Sequence, residues 1–262
     1  MPVILSPSDG IDLRYDVAGT GPPLVLLHGS VLSRAIWRGL GYLEPLTEVR
    51  TVIRMDLRGH GRSGAPHQEA AYTQERFVAD LLAVLDAEGH DRAALMGYSL
   101  GARIALSAAL RHPRRITHLV SLGGSAAPQQ GQVDSVFFPG VIEAVRQGGM
   151  EEFCSRQGLG PEVDSRRGRA TRQAFLAADH LAMAALLAAT DATTGIPDEE
   201  LAACQVPALW MAGTEDHPRF EQSQRAARLM PKGRFVPLPG RVHGSTLSPP
   251  DEVLEQVLPF LR

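Results

Sequence analysis

Short apolar runs alternate with amphipathic stretches along most of the chain, and this alternation predicts strands that alternate with helices. The predicted strands are residues 11–18, 24–27, 49–55, 92–96, 116–122, 206–211 and 234–238. The predicted helices are residues 74–88, 102–110 and 253–261. Strands this short and this continuously apolar are typical of a parallel sheet covered by helices on both faces. We therefore expect an α/β fold with a doubly wound, mostly parallel sheet.

The strand pattern stops between Ser125 and Ile196. Glycines and prolines divide this stretch into predicted helices at 135–147, 151–157, about 162–178 and 180–190. A small helical cap inserted between two core strands would lie across the carboxyl ends of the strands, where open α/β sheets bind ligands. We expect residues 1–124 to form the first part of the core, 125–196 the cap and 197–262 the second part of the core.

Composition excludes several classes of protein. The 262 residues are 44% hydrophobic and 21% charged, which suits one α/β core with an insertion. A formal net charge of −3 argues against a nucleic-acid partner. Cys154 and Cys204 lie far apart, so we expect neither a metal site nor a disulfide framework.

The beginning of the chain is too short and too quickly polar for a secretory signal, and no apolar run is long enough to span a membrane. We therefore expect a cytoplasmic protein without a membrane partner. The sequence leaves the oligomeric state open.

The stretch Gly97-Tyr98-Ser99-Leu100-Gly101 has the pattern G-x-S-x-G of a nucleophile elbow. It follows a predicted strand and precedes a predicted helix, which is the context that such an elbow requires. The strained turn makes the serine hydroxyl project from the sheet, and glycines on either side let strand and helix backbones pass closely. Ser99 is therefore the predicted nucleophile.

A serine hydroxyl needs a base, and the base needs a partner that fixes its tautomer. His243 is the candidate base, because it lies in the loop after the last predicted strand. Asp216 is the candidate partner, because it follows the strand that ends at Met211. Glu215 is the alternative carboxylate.

An oxyanion formed during attack on a carbonyl needs hydrogen-bond donors. The N–H of Leu100, directly after the nucleophile, is one candidate. The second is expected from the loop after an early strand, where we choose the N–H of Ser30, with that of Val31 as the alternative. We interpret His28 in the same loop as a residue that orders the loop by hydrogen bonding.

These residues together resemble the α/β-hydrolase fold superfamily. The resemblance extends over nearly the whole core and includes five segments: His28-Gly29, the loop from Asp56 to Ser63, the Ser99 elbow, Gly213-x-x-Asp216, and His243. The order serine, aspartate, histidine along the chain is the one that this fold uses. The loop from Asp56 to Ser63 is interpreted as structural.

The resemblance extends to enol-lactone hydrolases, small-ester esterases, meta-cleavage C–C hydrolases and cofactor-free haloperoxidases, and it implies no cofactor. A serine at the elbow argues against haloalkane dehalogenases and epoxide hydrolases, which use aspartate there. Two positions depart from the common pattern. Ser30-Val31 follows His28-Gly29 where many relatives have a second glycine or Phe-Pro, and Tyr98 stands where histidine is frequent.

The predicted cap is rich in leucine, alanine, phenylalanine and methionine, which suits core packing and also an apolar pocket wall. Trp37 and Tyr98 are candidate substrate contacts by position, with core packing as the alternative. Arg34 is a candidate partner for an anionic group, with surface exposure as the alternative.

The sequence thus predicts a serine hydrolase that cleaves a small or medium carboxylic ester, lactone or related carbonyl compound through an acyl-enzyme. The alternatives are C–C bond hydrolysis, acyl transfer or perhydrolysis, a non-hydrolytic lyase or cyclase, and a ligand-binding protein on the same fold. The natural substrate is not apparent from the sequence.

Overall fold

The structure is a computed structural model that describes residues 2–262, except for the side chain of Arg167. Within these residues, eight strands form one sheet in the order β1-β2-β4-β3-β5-β6-β7-β8. The strands are β1 (Val3–Leu5), β2 (Asp12–Ala18), β3 (Pro23–Leu27), β4 (Thr51–Met55), β5 (Ala93–Tyr98), β6 (Ile116–Leu122), β7 (Ala208–Gly213) and β8 (Gly233–Leu238). Strand β2 is antiparallel to its neighbours β1 and β4, and the remaining pairs are parallel. The α/β fold with a mostly parallel sheet is confirmed.

The helices that precede β6 are α1 (Ala35–Gly39), α2 (Leu43–Thr47), α3 (Gln74–Ala87) and α4 (Leu100–Arg111). Those between β6 and β7 are α5 (Gln132–Val136), α6 (Val141–Arg156), α7 (Arg166–Leu176), α8 (His180–Asp191) and α9 (Asp198–Ala203). The last two are α10 (Arg219–Leu229) and α11 (Asp251–Phe260). In the part of the chain that the structure describes, no single helix is long and apolar enough to cross a membrane, and one sharply bent pair, Gly168–Leu176 with His180–Asp191, meets the length and composition test.

Two hydrophobic clusters cover the two faces of the sheet, and successive residues of β3 alternate between them. Val25 and Leu27 pack into one cluster with α3 and α4, while Leu24 and Leu26 pack into the other with α2 and α11. This alternation follows from the period of two in a strand, and burial on both faces explains why β3 is continuously apolar.

The chain leaves β3 toward one side, to β4, and later returns to the other side of β3 as β5. The loops that follow β3 and β5 therefore diverge at the carboxyl end of the sheet. Such a divergence is where ligands bind in open α/β sheets, and it brings the loop at Ser30 beside the elbow at Ser99.

We call residues 125–196 the inserted segment. Its predicted helices exist, but their bounds differ from the prediction. Pro139-Gly140 separates α5 from α6, and α6 joins the predicted helices 135–147 and 151–157 across a kink at Gly149, whose φ of +68° is not helical. Strand β1 and helices α2, α9 and α10 lie outside the predicted elements. The predicted core strands and helices 74–88, 102–110 and 253–261 are confirmed within two residues at each end.

Candidate active site

Ser99 lies in a sharp turn between β5 and α4. Its φ of +53° is rare for a residue with a side chain, and its N–H donates a hydrogen bond to the Leu122 carbonyl of β6 (2.9 Å). The two glycines of the motif are required by contact distances. A Cβ on Gly97 would lie 2.2 Å from the Gly101 carbonyl oxygen, and a Cβ on Gly101 would lie 2.1 Å from the Leu27 carbonyl oxygen. The sequence pattern is therefore explained by the close passage of β3, β5 and α4.

Three side chains form a continuous hydrogen-bonded chain at this turn. The Ser99 hydroxyl lies 2.9 Å from Nε2 of His243, and Nδ1 of His243 lies 2.9 Å from Oδ2 of Asp216. An ionised carboxylate can only accept hydrogen bonds, so Nδ1 of His243 carries the proton and donates a hydrogen bond to Asp216. Nε2 is then unprotonated and can accept the serine proton. The arrangement therefore has the geometry of a base that lies between a serine hydroxyl and an orienting carboxylate.

Two loops at the carboxyl end of the sheet supply the histidine and the aspartate. Asp216 follows β7, and His243 follows β8. The Asp216 side chain is 4% exposed and the His243 side chain 14% exposed, so both lie close beneath the surface of the site. The alternative carboxylate, Glu215, is exposed and makes no hydrogen bond with His243 among the described residues.

Burial lowers the pKa of His243 below its ordinary value of 6.5. The hydrogen bond and charge of Asp216 oppose this shift, whereas the nearby Arg219 cation adds to it. The imidazole is therefore held neutral at physiological pH, which is the form that accepts a proton from a serine.

The loop after β3 places Ser30 beside Ser99. Ser30, Ser99 and Leu100 line one narrow cavity. The N–H of Val31 is occupied, because it donates to Nε2 of His60 (3.1 Å), whereas the N–H of Ser30 has no hydrogen-bond partner among the described residues. Of the two N–H groups considered from the sequence, that of Ser30 is the one available to a ligand.

A pair of buried histidines holds this loop. Val31 has a φ of +64°, which is strained for a β-branched residue, and its backbone N–H is fixed by His60. His28 accepts from the N–H of Leu57 (3.1 Å), and burial lowers the pKa of His28 to about 4 and that of His60 to about 3. Both rings are neutral hydrogen-bonding groups, which agrees with the loop-ordering interpretation of His28.

Asp56 supports the other end of the same loop. Its carboxylate accepts from the backbone N–H of Arg34 (2.9 Å) and from that of Arg62 (3.0 Å), and it pairs with the Arg34 guanidinium. The predicted structural loop from Asp56 to Ser63 thus connects directly with the loop at Ser30.

The cavity beside Ser99 has walls from both the core and the inserted segment. The core contributes Gln74, Arg103 and Arg219 in addition to Ser30, Ser99 and Leu100. The inserted segment contributes Ser125, Gln129, Val133, Val136, Phe137, Leu187, Thr190 and Thr193. A ligand that reaches the serine hydroxyl therefore contacts both parts of the chain.

The family model for the alpha/beta hydrolase fold matches residues 22–236. The chain belongs to this family. The match includes the elbow, the loop after β3 and the aspartate after β7.

Full-length relatives of this alpha/beta hydrolase include esterases and lactonases. The chain is 30% identical over 257 residues to a pimeloyl-[acyl-carrier protein] methyl ester esterase from Edwardsiella ictaluri, with 91% of this chain and 93% of that protein aligned. The crystal structure of a hydrolase from Pseudomonas aeruginosa PA01 is 30% identical with a TM-score of 0.85, covering 99% of this chain and 98% of that one. The structure of an enol-lactonase from Burkholderia xenovorans LB400 is 25% identical with a TM-score of 0.81, covering 99% of both chains.

Several other curated relatives match over less than half of their own length. One is a 2-hydroxymuconate semialdehyde hydrolase from Pseudomonas sp. (strain CF600), 36% identical over 131 residues, which are 49% of this chain and 46% of that protein. The similarity to these proteins thus concerns about half of this alpha/beta hydrolase.

Two candidate substrate contacts of this alpha/beta hydrolase lie elsewhere than the sequence suggested. Trp37 is fully buried and packs edge-on against Tyr42 in the cluster on the face covered by α2 and α11, so it is a core residue and does not line the cavity. Tyr98 is 8% exposed and stacks on the His243 ring instead of lining the cavity. Arg34 is neither exposed nor at the cavity, because it pairs with Asp16 and Asp56.

The sequence analysis did not select Arg103 and Arg219 of this alpha/beta hydrolase, although both line the cavity. Arg103 is a single cation in the otherwise apolar start of α4, one helical turn after Ser99. Arg219 comes three residues after Asp216. Distance along the sequence from the nucleophile and from the acid would have been the signal for both.

Proposed function

We propose that this chain is a serine hydrolase that cleaves a small or medium carboxylic ester or lactone through an acyl-enzyme, with Ser99 as nucleophile, His243 as base and Asp216 as the residue that orients the base. The observation that carries the proposal is the continuous hydrogen bonding from Ser99 through His243 to Asp216, with both contacts at 2.9 Å. A nucleophile within hydrogen-bond reach of a base, which is itself oriented by a third group, is the geometry of covalent acyl transfer.

In the first half of the reaction, Ser99 Oγ forms a bond to the carbonyl carbon while its proton passes to Nε2 of His243. The negative charge that develops on the carbonyl oxygen is stabilised by the N–H groups of Ser30 and Leu100. Leu100 is the first residue of α4, whose amino-terminal dipole adds to this stabilisation. The tetrahedral intermediate collapses when the bond to the leaving oxygen breaks, and His243 returns the proton to that oxygen.

In the second half, a water molecule attacks the acyl carbon and gives a proton to His243. The bond to Ser99 Oγ then breaks, the proton returns to the serine, and the carboxylic acid leaves. Asp216 remains ionised throughout and stabilises the imidazolium that forms twice in the cycle.

Ester or lactone hydrolysis is favoured over C–C bond cleavage by the extent of the matches. The esterase relative is aligned over 91% of this chain, whereas the semialdehyde hydrolase is aligned over 49%. Product analysis with a competing alcohol or peroxide would distinguish hydrolysis from acyl transfer and perhydrolysis. The inserted segment is proposed as a cap over the site because its residues form more than half of the cavity wall.

The first test is reaction of the purified protein with a fluorophosphonate probe, measured by intact mass, beside Ser99→Ala and Ser125→Ala. Ser125 lines the same cavity, but its hydroxyl accepts a hydrogen bond from the Ala127 N–H and makes none with His243 among the described residues, so it is a matched control. We expect one adduct on the wild type and on Ser125→Ala and none on Ser99→Ala. Turnover of short-chain p-nitrophenyl esters and lactones should fall about a million-fold in Ser99→Ala. Equal labelling of all three proteins would refute Ser99 as the nucleophile.

A further inference from the structure

Arg219 is a buried cation in the cavity wall whose guanidinium lacks a partner. The residue is 8% exposed, begins α10 and lines the cavity together with Ser99. Within residues 2–262 its guanidinium makes neither a hydrogen bond nor an ion pair. Asp216 is close enough to attract Arg219 electrostatically, but Oδ2 of Asp216 accepts its hydrogen bond from His243.

Four of the other buried arginines in the described part of the chain, Arg54, Arg58, Arg172 and Arg241, are paired with carboxylates. Arg50 is as buried as Arg219 and makes no ion pair among the described residues, but it does not line the cavity. Arg58 is fully buried and binds Asp80 (2.7 Å), Arg54 binds Asp16 (2.7 Å), and Arg241 binds Glu252 (2.8 Å). A buried guanidinium without a hydrogen-bonded anion is costly, because the charge has lost most of its hydration and Asp216 compensates it only by electrostatic attraction. Arg219 therefore lacks the carboxylate partner that the paired arginines have, and an anionic ligand bound in the cavity would supply one.

A second arginine strengthens the positive potential of the same wall. Arg103 is 7% exposed and donates only to backbone carbonyls, those of Ser125, Ala127 and Thr194, while its Nε is buried without a partner. Burial lowers the pKa of Arg103 to about 10, and the charges of Arg111 and Arg219 add to this effect. The two cavity arginines thus lie close enough to repel each other.

The rest of the cavity wall contains no carboxylate among the described residues. The polar members are serine, threonine and glutamine side chains. The apolar members are Leu100, Val133, Val136, Phe137 and Leu187, which offer a hydrocarbon surface between the polar groups. The cavity thus combines a serine nucleophile, an apolar lining and an excess of positive charge.

We propose that the cavity selects substrates that carry a carboxylate in addition to the ester or lactone carbonyl, and that Arg219 binds this carboxylate. The planar guanidinium presents paired N–H donors that match the two oxygens of a carboxylate. A short aliphatic chain between the two groups would lie on the apolar lining. This inference rests on the proposed function, and it adds the substrate class and a specificity-determining residue.

The test compares charged esters with neutral esters of the same shape. Monomethyl glutarate is paired with methyl 5-methylhexanoate, which replaces a carboxylate on the acyl side by an isopropyl group. 3-Acetoxypropanoate is paired with isopentyl acetate, which makes the same change on the alcohol side. The variants are Arg219→Met and Arg219→Lys, and the control is Arg225→Met, which removes an exposed arginine of the same helix that pairs with Asp198.

We expect the wild type and Arg225→Met to prefer the charged ester of at least one pair by about tenfold or more in kcat/KM. Arg219→Met should lose this preference mainly through KM for the charged ester, while hydrolysis of the neutral ester remains. Arg219→Lys should retain part of the preference because the charge is kept and the paired donors are lost. Equal reduction for charged and neutral esters would overturn the proposal, since it would show that Arg219 acts only through His243.

Binding to a Ser99→Ala background separates this inference from the proposed function. Calorimetric titration with monomethyl glutarate and with 3-acetoxypropanoate should show binding of at least one of them to Ser99→Ala and at least about tenfold weaker binding to the double variant Ser99→Ala/Arg219→Met. This result would support the anion site even if no ester were turned over. Absence of binding by both single and double variants, or equal binding, would overturn it. Because Arg219 lacks a partner, the Tm of Arg219→Met should not fall below that of the wild type, and a lower Tm would instead indicate a structural role.

Discussion

The ring of Tyr98 stacks on the imidazole of His243, with ring centroids 5.3 Å apart and planes inclined by 25°. The Tyr98 hydroxyl also donates a hydrogen bond to the backbone carbonyl oxygen of His243 (2.9 Å). Burial raises the pKa of Tyr98, so the hydroxyl stays protonated and remains a donor. Tyr98 therefore supports His243, the proposed base, on the ring face, whereas Ser99 and Asp216 contact the ring nitrogens.

Tyr98→Phe should lower kcat about fivefold with little change in KM, because the loop that carries His243 loses one partly buried hydrogen bond of about 1 kcal/mol. Tyr42→Phe is the matched control, since the Tyr42 hydroxyl also donates to a backbone carbonyl, that of Leu247 (2.9 Å), in the hydrophobic core. Steady-state kinetics and urea unfolding on both variants check this. A similar loss of kcat in both would mean that the effect comes from general destabilisation.

Asp216→Asn should reduce kcat about ten-thousand-fold, because an amide in place of the carboxylate no longer stabilises the Nδ1–H tautomer or the imidazolium. Glu215→Gln changes the adjacent carboxylate in the same way, and its side chain is exposed, so it should retain wild-type turnover. Turnover of a p-nitrophenyl ester at pH 7.5 measures both. A larger loss in Glu215→Gln would reverse the assignment of the acid.

The pH profile of kcat/KM should have its acidic limb below pH 6.5. The base must be neutral, burial lowers the pKa of His243, and the activity is therefore lost only as the pH falls through this lowered value. Arg219→Met removes a cation that contributes to the shift, so its acidic limb should move to higher pH. Rates measured with a neutral ester from pH 4.5 to 8.5 test both statements. An acidic limb above pH 6.5 in the wild type would contradict them.

His60→Ala should reduce kcat and also lower the free energy of unfolding by about 1–3 kcal/mol, because the buried N–H of Val31 loses its acceptor. Without that hydrogen bond the positive φ of Val31 is no longer stabilised, and the orientation of the neighbouring Ser30 N–H is no longer fixed. His112→Ala, at an exposed position, is the control and should change neither quantity. Retained kcat in a destabilised His60→Ala would show that the loop keeps its form without this contact.

Local patterns in the sequence predicted the core strands because burial on both faces makes nearly every residue of such a strand apolar. They also predicted the elbow, since close backbone contacts at Gly97 and Gly101 exclude any larger residue. Asp216 and His243 were chosen because each follows a core strand, and loops after parallel strands meet at one edge of the sheet. The order of Ser99, Asp216 and His243 along the chain agrees with that of the fold that the sequence resembles. The catalytic roles of these residues, and those of the N–H groups of Ser30 and Leu100, stay predictions until the kinetics are measured.

Other features depend on contacts between distant parts of the chain and leave no local pattern. Trp37 belongs to an α1 of only five residues, in which position alone did not distinguish the core from a cavity wall. The bounds of α5 and α6 follow from how the inserted segment packs. Similarly, Arg103 and Arg219 are close to Ser99 and Asp216 in the sequence, but this closeness does not show which way a helical side chain points. Only the fold shows that both arginines line the cavity.

Arg103 contacts the inserted segment at both of its ends, through Ser125 and Ala127 on one side and Thr194 on the other. The guanidinium of Arg103, on the helix that begins after Ser99, therefore binds the beginning and the end of this segment at the same point. A swing of the whole segment away from the core would break all three hydrogen bonds, so a displacement of the helices between the two ends is the less costly movement. We therefore expect the middle of the segment to move more than its two ends, which are fixed to the helix that begins after Ser99.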